Sequence, residues 1–553
     1  MRKFTITILT LLAAVMICPA ATRSSKKDIS RNLDIFNALF KELQTFYVDS
    51  IDAEKSINTA IAAMLDDIDP YTEYISVKDQ DSFRSMTTGE YAGIGSMIQE
   101  RGIGKVMIAE PYEGSPAAEA GLLPGDMIIS IDGDSITGWR SQQVSDRLKG
   151  QAGTKVTVVV DRPWVEDSIK IVEIIRRKIQ IPSVPYYGMI DDNTGYIALN
   201  SFTDKSYEEM RDAMRDLIDN HDAKAMVLDL RGNGGGLLES AVKILGLFLP
   251  KGTTVLTTRG KGLLNEKTYK TSVKPIDTKM PLAVLIDGAT ASSSEIVTGA
   301  IQDLDRGVVI GARSFGKGLV QGTRQLPYDG LLKVTTAKYY IPSGRLIQAI
   351  DYSHRNPDGS VARIPDSLTT VFHTAGGREV RDGGGITPDV KVEYPQINRV
   401  TYNVVRDNWA FDFATRYFAE NPDLPSPEEF EITDTIYEQF KQTIDPEKFA
   451  YDKVLEIAMS QVRDMAKTEG YMNDSTAAQF DILEGMLKHD LNRDLDTNRK
   501  DITPYLASEI LGRKYFKKGQ MIYDLRHDQT IDRAKEILRS DEYEKLLKPQ
   551  EKK

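Results

Sequence analysis

Short, strongly apolar runs alternating with helical segments are the feature that most constrains the fold of this 553-residue chain. Between residues 179 and 395 the predicted strands are Ala225–Leu230, Leu282–Ile286, Gly307–Gly311 and Leu332–Tyr340. Helical segments follow the first two strands, over Leu237–Phe248 and from Ser292–Glu295 to Asp305. Because strands that alternate with helices usually form a parallel sheet covered by those helices, the sequence predicts an α/β core here.

The regions on either side of the core have different patterns, which divide the chain into five parts. The predicted parts are a signal peptide over 1–21, an N-terminal helical domain over 28–87, a β-domain over 88–178, the core over 179–395 and a helical C-terminal extension over 400–553. Within the extension, the polar stretch His489–Asp501 is predicted to be a linker. The predicted fold class is therefore multidomain α/β.

The first residues have the pattern of a secretory signal. Arg2 and Lys3 precede the apolar run Phe4–Ile17, which is too short to span a bilayer comfortably. Cys18, the single cysteine of the chain, invites lipidation, but the bulky Ile17 stands before it, so we expect ordinary cleavage. The expected location is the periplasm or cell envelope, with membrane association if the signal is retained or Cys18 is lipidated. Ordinary cleavage leaves a mature chain without cysteine, which excludes disulfides and thiol chemistry.

Charge and histidine content narrow the function classes. The net charge of −11, without a cluster of basic residues outside the termini, argues against nucleic-acid binding. Of the five histidines, His221 lies in a polar turn and His373 in a loop-like segment. Neither belongs to a recognisable serine–histidine pattern, and we interpret both as structural or exposed. A triad assembled only in space stays open as an alternative.

The segment Arg231–Gly236 is a glycine loop between a predicted strand and a predicted helix. This is also the setting of a phosphate cradle, but the Lys-Ser/Thr pair of a P-loop is missing. Backbone N–H groups at a helix start can instead hold the oxyanion of a tetrahedral intermediate. A tight strand-to-helix turn without chemistry is the alternative.

Three consecutive serines and a lysine between glycines are the candidate reactive groups. The serines lie in Ala291–Glu295, and each could react or simply cap the helix. Their place at the carboxyl end of a strand favours a site, because sites of α/β folds form there. Lys317 could be the base for a serine if burial lowers its pKa, and Gln321 could hold its amine. A surface lysine in a flexible turn is the alternative.

The β-domain carries an ordered series of motifs. They are Tyr91–Gly95, Gly114–Ala117, Ala120–Leu122, Pro124–Asp126 and Ile131–Gly133. The series resembles a PDZ domain of the type found with bacterial proteases. Such domains capture a chain end, because N–H groups of a glycine-rich loop bind its carboxylate and the peptide adds to a sheet edge. The resemblance places this loop at Ala92, Gly93, Ile94 and Gly95; Lys149 could add a cation, or be a solvated turn lysine.

Further motifs extend the resemblance from about residue 33 to 393. They are Leu228–Arg231, Gly235–Gly236, Ala291–Glu295, Phe315–Gly318 with Gln321, Ala337–Tyr340, Pro342–Gly344 and Gly385–Asp389. In order and spacing they resemble the carboxyl-terminal processing peptidases, also called tail-specific proteases. This family often has alanine where the chain has Ser293 and proline where it has Gly234.

The family resemblance implies a crotonase/Clp-protease-like core and a set of roles. Ser292 would be the nucleophile, Lys317 the general base and Gln321 the residue that supports this base. The oxyanion donors would be backbone N–H groups of Ser293, Gly235 and Gly236. Glu295 and Asp303 would be supporting positions. It implies a serine endopeptidase that captures protein C-termini and cleaves near them through an acyl-enzyme. No metal or organic cofactor is expected. The expected partners are substrate proteins with free C-terminal tails. A dimer or larger homo-oligomer and an accessory activator are both compatible with the family.

Two other functions remain open at this point. One is a catalytically silent PDZ scaffold, against which the joint presence of Ser292, Lys317 and Gln321 argues. The other is a crotonase-like enzyme acting on thioesters, which would use oxyanion donors but would not need a domain that captures chain ends.

Overall fold

The computed structural model describes residues 26–102, 104–163, 165–262, 266–355, 361–393, 396–451 and 454–549. The chain divides after Tyr74 into two compact units. The predicted signal peptide lies outside the described residues. The predicted fold class is confirmed, as the following elements show.

The first unit is helical. It contains α1 (Lys26–Phe46) and α2 (Ala53–Asp66), and Asp52 caps α2 by accepting the N–H of Lys55 at 3.0 Å. Strand β1 (Glu73–Ile75) and helix α3 (Gln80–Thr88) follow along the chain. Across the described ranges, no helix combines the length and apolar character that a membrane span requires.

The β-domain is an antiparallel sheet with two short helices. Its elements are β2 (Glu90–Gly93), β3 (Ser96–Glu100), β4 (Val106–Pro111), α4 (Pro116–Glu119), β5 (Met127–Ile131), β6 (Asp134–Ser135), α5 (Ser141–Leu148), β7 (Lys155–Asp161), β8 (Ile169–Ile175) and β9 (Arg177–Gln180). The sheet order is β3-β4-β5-β7-β8, with β6 on β5, while β2 pairs separately with β9. Alternate residues such as Val156, Val158 and Val160 point into its core, and β3 lies at an edge of the sheet.

A six-stranded sheet forms the centre of the core. In chain order its elements and the surrounding helices are β10 (Tyr186–Met189), β11 (Thr194–Ala198), α6 (Ser206–Arg215), β12 (Ala225–Asp229), α7 (Leu238–Phe248), β15 (Leu282–Ile286), α8 (Ser293–Asp303), β16 (Val308–Gly311) and β23 (Val390–Lys391). The strand order is β10-β11-β12-β15-β16-β23, parallel except for β10. Helices α6, α7 and α8 bury their apolar faces against one side of this sheet.

Smaller sheets complete the core. They contain β13 (Thr254–Gly260), β14 (Glu266–Lys270), β17 (Leu319–Gln325), β18 (Leu331–Tyr340), β19 (Ile350–Arg355), β20 (Val361–Arg363), β21 (Val371–His373) and β22 (Glu379–Arg381). β18 pairs with both β13 and β17, so the strand that follows Lys317 is fixed along its whole length. β19 pairs with β20 and β21 with β22.

The helical region after the core has its own apolar cluster and also covers the central sheet. Its helices are α9 (Arg399–Arg406), α10 (Trp409–Glu420), α11 (Asp434–Thr443), α12 (Val454–Thr468), α13 (Asp474–Leu487), α14 (Leu491–Thr497), α15 (Arg499–Arg526), α16 (Gln529–Leu538) and α17 (Glu542–Leu546). Ile531, Ala534 and Ile537 of α16 pack with Val227 and Leu285 on the sheet face opposite α7 and α8. The central sheet is therefore buried on both faces.

The prediction of a linker over His489–Asp501 is wrong. This stretch contains α14 and the start of α15. Asp490 caps α14 by accepting the N–H of Arg493 at 2.8 Å, and Leu495 is fully buried. The stretch contains only two apolar residues, Leu491 and Leu495, among polar and charged ones, which is too few to establish a helical period and explains the error.

Candidate active site

The glycine loop and the serine segment meet at one edge of the central sheet. β12 and β15 are parallel neighbours, with Asp229 opposite Leu285, so the segments that follow them emerge side by side. A Cβ added to Gly235 would lie 2.8 Å from the Ser292 Cβ and 2.9 Å from the Ser293 nitrogen, and its φ is +102°. Only glycine fits this contact.

The three serines have different surroundings. The Ser293 hydroxyl donates to the Gly236 carbonyl at 2.9 Å, and the buried Ser294 hydroxyl donates to the Asn233 carbonyl at 2.9 Å. Both therefore fasten the glycine loop to α8. Ser292 is half-buried and has φ 57° and ψ −116°, a strained backbone conformation at a strand-to-helix turn. Such a turn is how other hydrolases present a reactive serine.

The backbone N–H groups beside Ser292 differ in whether they already donate a hydrogen bond within the protein. The Gly235 N–H donates to the Asn233 side-chain oxygen at 2.9 Å. Within the described residues, the N–H groups of Ser293 and Gly236 donate to no other group. Of the three predicted oxyanion donors, Ser293 and Gly236 are thus the ones whose N–H groups are uncommitted.

Glu295 connects the serine segment to the lysine segment. Its buried carboxylate accepts the N–H groups of Ser292 at 2.9 Å, Gly316 at 2.7 Å and Lys317 at 2.9 Å, and the Ser314 hydroxyl at 2.5 Å. Burial raises the pKa of Glu295 to about 7, against these four hydrogen bonds, which lower it. The sequence predicted a supporting position for Glu295, and one carboxylate indeed holds the backbones of both Ser292 and Lys317.

Lys317 lies in a tightly held turn just before β17. A Cβ added to the next residue, Gly318, would lie 2.9 Å from the Gln348 nitrogen, so close packing requires glycine there. The buried Tyr339 hydroxyl donates to the Lys317 carbonyl at 2.5 Å and lies 3.2 Å from the Ser292 carbonyl. Lys317 itself is half-buried.

Tyr339 is a site residue for which sequence reasoning assigned no role. It was part of the Ala337–Tyr340 motif, but a tyrosine in a strand looks like ordinary core. Only the pairing of β18 with β17 places its hydroxyl between the serine segment and the lysine segment.

Gln321 and Asp303 occupy different parts of the core. Gln321 lies on β17, half-buried, and donates to the Thr335 hydroxyl at 3.2 Å; its predicted contact with the Lys317 amine stays a prediction. Asp303 ends α8, roughly 15 Å of helix from Ser292. It forms a buried ion pair with Arg345 at 2.8 Å and accepts the Ser343 N–H at 2.9 Å. Asp303 therefore anchors the far end of the helix that carries the serines.

The predicted carboxylate loop of the β-domain contains uncommitted donors. Ala92 and Gly93 belong to β2, and the buried Ile94 and Gly95 connect it to the edge strand β3. Within the described residues, the N–H groups of Ile94 and Gly95 donate to no other group. Lys149 lies beside the loop: its Cα is 3.5 Å from the Cβ position of Gly93, and its amine is 6.0 Å from the centre of the Tyr91 ring.

His221 and His373 are the two histidines that the sequence analysis interpreted as structural or exposed. His221 is exposed, with its ring 3.6 Å from Asp216, and His373 ends β21. In the described part of the chain, no group of three or more histidine, cysteine, aspartate or glutamate residues is arranged to hold a metal ion.

Three regions of the chain match models of known protein families. The model of peptidase family S41 matches residues 193–361, that of a PDZ domain residues 107–162, and that described as "Probable PDZ-protease, C-terminal helical domain" residues 400–538. The "Carboxy-terminal-processing protease" of Bartonella bacilliformis is 35% identical over 372 residues, which cover 66% of this chain and 84% of that protein. A "Probable CtpA-like serine protease" of Staphylococcus aureus is 30% identical over 490 residues, covering 87% and 88%.

Solved structures of related proteins also match. A photosystem II D1 C-terminal processing protease is 26% identical, covering 65% of this chain and 88% of that chain, with a TM-score of 0.36. The PDZ domain of a carboxy-terminal protease from Vibrio cholerae, solved with a peptide, is 32% identical, covering 17% and 99%, with a TM-score of 0.15. On the extent and identity of the sequence matches, the chain belongs to the carboxy-terminal-processing serine proteases of peptidase family S41.

Proposed function

We propose that the protein is an endopeptidase that captures free protein C-termini with its PDZ domain and cleaves near them through Ser292 and Lys317. The observation that carries the proposal is the Glu295 carboxylate, which accepts the N–H groups of both Ser292 and Lys317 at 2.9 Å. A shared anchor fixes the spacing of two backbones, as a nucleophile and its base require.

The chemistry follows from the roles of these groups. Lys317, neutral at the moment of reaction, takes the proton of the Ser292 hydroxyl, and the oxygen attacks a peptide carbonyl. The N–H groups of Ser293 and Gly236 stabilise the oxyanion. Lys317 then protonates the leaving amine, and water hydrolyses the acyl-enzyme, regenerating the serine. Each of these steps uses only groups of the chain, substrate and water.

Capture of the tail is assigned to the PDZ domain. The N–H groups of Ile94 and Gly95 would bind the terminal carboxylate, with Lys149 adding positive charge. The edge strand β3 would pair with the last residues of the substrate. Because only a free carboxylate satisfies this loop, an amidated tail should be a poor substrate.

We also propose that the protein works outside the cytoplasm, in the periplasm or cell envelope, because residues 1–21 have the pattern of a secretory signal. Homo-oligomerisation and an accessory activator stay predictions from the family resemblance.

Cleavage of a substrate with an unstructured tail tests the proposal. The mature protein is incubated with the substrate in free-carboxylate and amidated forms, and products are identified by mass spectrometry. We expect cleavage that needs the free carboxylate and is lost in Ser292→Ala and in Lys317→Ala. Lys243→Ala, which removes an exposed lysine of α7, is the control and should cleave normally.

Two results would contradict the proposal. Cleavage of the amidated substrate at the full rate would show that the PDZ domain does not select the substrate. Tail binding without cleavage by the wild-type protein under every condition tried would instead favour a scaffold.

Lys149→Met tests the contribution of this lysine to carboxylate binding. The change should weaken binding of the free-carboxylate peptide and leave binding of the amidated peptide unchanged.

A further inference from the structure

The side chain that opens the glycine loop, Arg231, is held by two carboxylates. From the core, Asp229 accepts the Arg231 Nε at 3.0 Å and Nη2 at 2.5 Å. From the helical region, Asp528 accepts Nη1 at 2.6 Å. Both members of this second pair are largely shielded from solvent, with 18% of each side chain exposed. The pair is therefore less screened than an exposed ion pair.

Asp528 is itself fixed in place. Its other oxygen caps α16 by accepting the N–H groups of Thr530 at 2.8 Å and Ile531 at 3.3 Å. Ile531 and Ala534 of this helix are fully buried against the central sheet. The Asp528 carboxylate thus lies at the start of a helix whose movement would expose apolar side chains of the central sheet.

Polar contacts hold the start of the loop. Arg231, Gly232, Asp287 and Asp528 line a cavity of about 530 Å³ between the core and the helical region. The Gly232 N–H donates to Asp287 at 3.0 Å. A cavity of this size leaves room for side chains to move, so the ion pairs with Asp229 and Asp528 contribute to holding Arg231 in position.

We propose that Asp528 is a positioning residue for the oxyanion loop, so that the C-terminal helical region completes the active site. Arg231 begins the loop whose Gly236 N–H faces the reacting carbonyl in the proposed function, on which this inference rests. Loss of the outer carboxylate removes the ion pair at Nη1 of Arg231 and loosens the loop. Oxyanion donors act mainly in the transition state, so the rate of the bound complex should fall while substrate affinity is retained.

Asp528→Ser tests the proposal because serine still caps a helix but is too short to reach Arg231. The matched control is Asp490→Ser, the same change at the cap of α14, which binds the Arg493 N–H. Turnover of the free-tail substrate and the affinity of a peptide boronic acid, which forms a tetrahedral adduct with the serine, are measured in the full chain. Binding of a free-carboxylate peptide to the PDZ domain is measured alongside.

For Asp528→Ser we expect kcat to fall about tenfold or more, with KM within about twofold of wild type. Boronate affinity should fall in parallel, and peptide binding to the PDZ domain should not change. Asp490→Ser should match the wild type in all three. An Asp528→Ser enzyme with kcat and boronate affinity within about twofold of wild type would overturn the proposal.

A second variant covers the case in which Asp528→Ser weakens α16. Arg231→Gln leaves the cap intact but removes the contacts with both Asp229 and Asp528, so we expect a loss of kcat at least as large as in Asp528→Ser. The double variant should lose little more than Arg231→Gln alone, because the contact between Asp528 and Arg231 is already broken in it. Independent losses that add in the double variant would contradict the inference. A wild-type protein that never cleaves would instead contradict the proposed function, so the two failures are distinguishable.

Discussion

At the residue scale, the carboxylate of Glu295 organises the site. It accepts four hydrogen bonds, three of them from the backbone of Ser292, Gly316 and Lys317. The same arrangement buries an ionisable group, and burial raises the pKa of Glu295 to about 7. The residue that holds the backbones of Ser292 and Lys317 therefore also makes folding depend on pH.

This dependence can be measured in Glu295→Gln. The Glu295 carboxyl ionises near 4.5 in the unfolded chain and near 7 in the folded chain, so between these values the folded protein binds more protons. The free energy of unfolding contributed by Glu295 is thus present in full below about pH 4.5 and is lost as the pH rises through about 7. We expect the difference in stability between wild type and Glu295→Gln, from urea unfolding at several pH values, to fall over this window. A difference that does not change with pH would contradict the assignment.

The sequence indicated candidate site residues but not how they are held. Ser292, Lys317 and Glu295 could be named because they lie in compact motifs. The hydroxyl of Tyr339 and the tethering hydroxyls of Ser293 and Ser294 could not, because their partners are 22 to 61 residues away in the chain. Hydrogen bonds across such distances depend on strand pairing, which a single sequence does not specify.

At the scale of elements, the glycine loop is shaped to fit α8. The Cβ position of Gly235 is within 3 Å of both Ser292 and Ser293, whereas that of Gly234 has no atom within 4 Å. The two adjacent glycines therefore have different functions: Gly235 allows close approach, and Gly234 only continues the turn.

This difference predicts unequal effects of the same substitution. Gly235→Ala should lower kcat about 10²-fold, because the added methyl group displaces Ser292 and the oxyanion donors. Gly234→Ala, the matched control, should stay within about twofold of wild type. Steady-state cleavage of the free-tail substrate measures both. Equal activity of the two variants would contradict the close contact between Gly235 and Ser292.

Elements were predictable where their pattern was strong. The strands Ala225–Asp229 and Leu282–Ile286 are continuous apolar runs and were expected within a residue of their observed bounds. β17 and β14 were missed because they contain mostly polar residues at exposed or half-exposed positions. β17 matters most, since it connects Lys317 to the sheet that carries Tyr339.

At the scale of the whole molecule, the helical region is part of the core's structure rather than an appendage. α16 and α17 cover one face of the central sheet. Tyr543 of α17 accepts the buried N–H of Leu282, the first residue of the strand that leads to the serines, at 3.0 Å. Arg101 of the PDZ domain forms an ion pair of 2.7 Å with Asp412 of α10, so the helical region contacts both functional domains.

Tyr543→Phe measures the first of these contacts. The change removes the acceptor of the Leu282 N–H while keeping the ring, and an unsatisfied buried donor costs about 1–3 kcal/mol. We expect a loss of that size in the free energy of unfolding. Tyr471→Phe, at a tyrosine that is 69% exposed, should have no effect. Equal stability of the two variants would mean that the helical region does not support the sheet at this point.

The sequence could predict that residues 400–553 are helical but not where they pack. The apolar residues of α16 have a clear helical period, but the period does not identify the surface that they cover. That surface is the second face of the central sheet, most of whose strands lie more than 200 residues earlier in the chain. Packing of this kind is a property of the complete fold and has no local signal.

Three serine variants, compared in one assay, show which serine hydroxyl is the nucleophile. Ser292→Ala, Ser293→Ala and Ser294→Ala are each measured for kcat/KM on the free-tail substrate. We predict that Ser292→Ala has no turnover above background, because it lacks the nucleophile, while the other two lose one tether each and keep measurable activity. Turnover by Ser292→Ala together with its loss in Ser293→Ala would assign the reaction to a different serine and contradict the account.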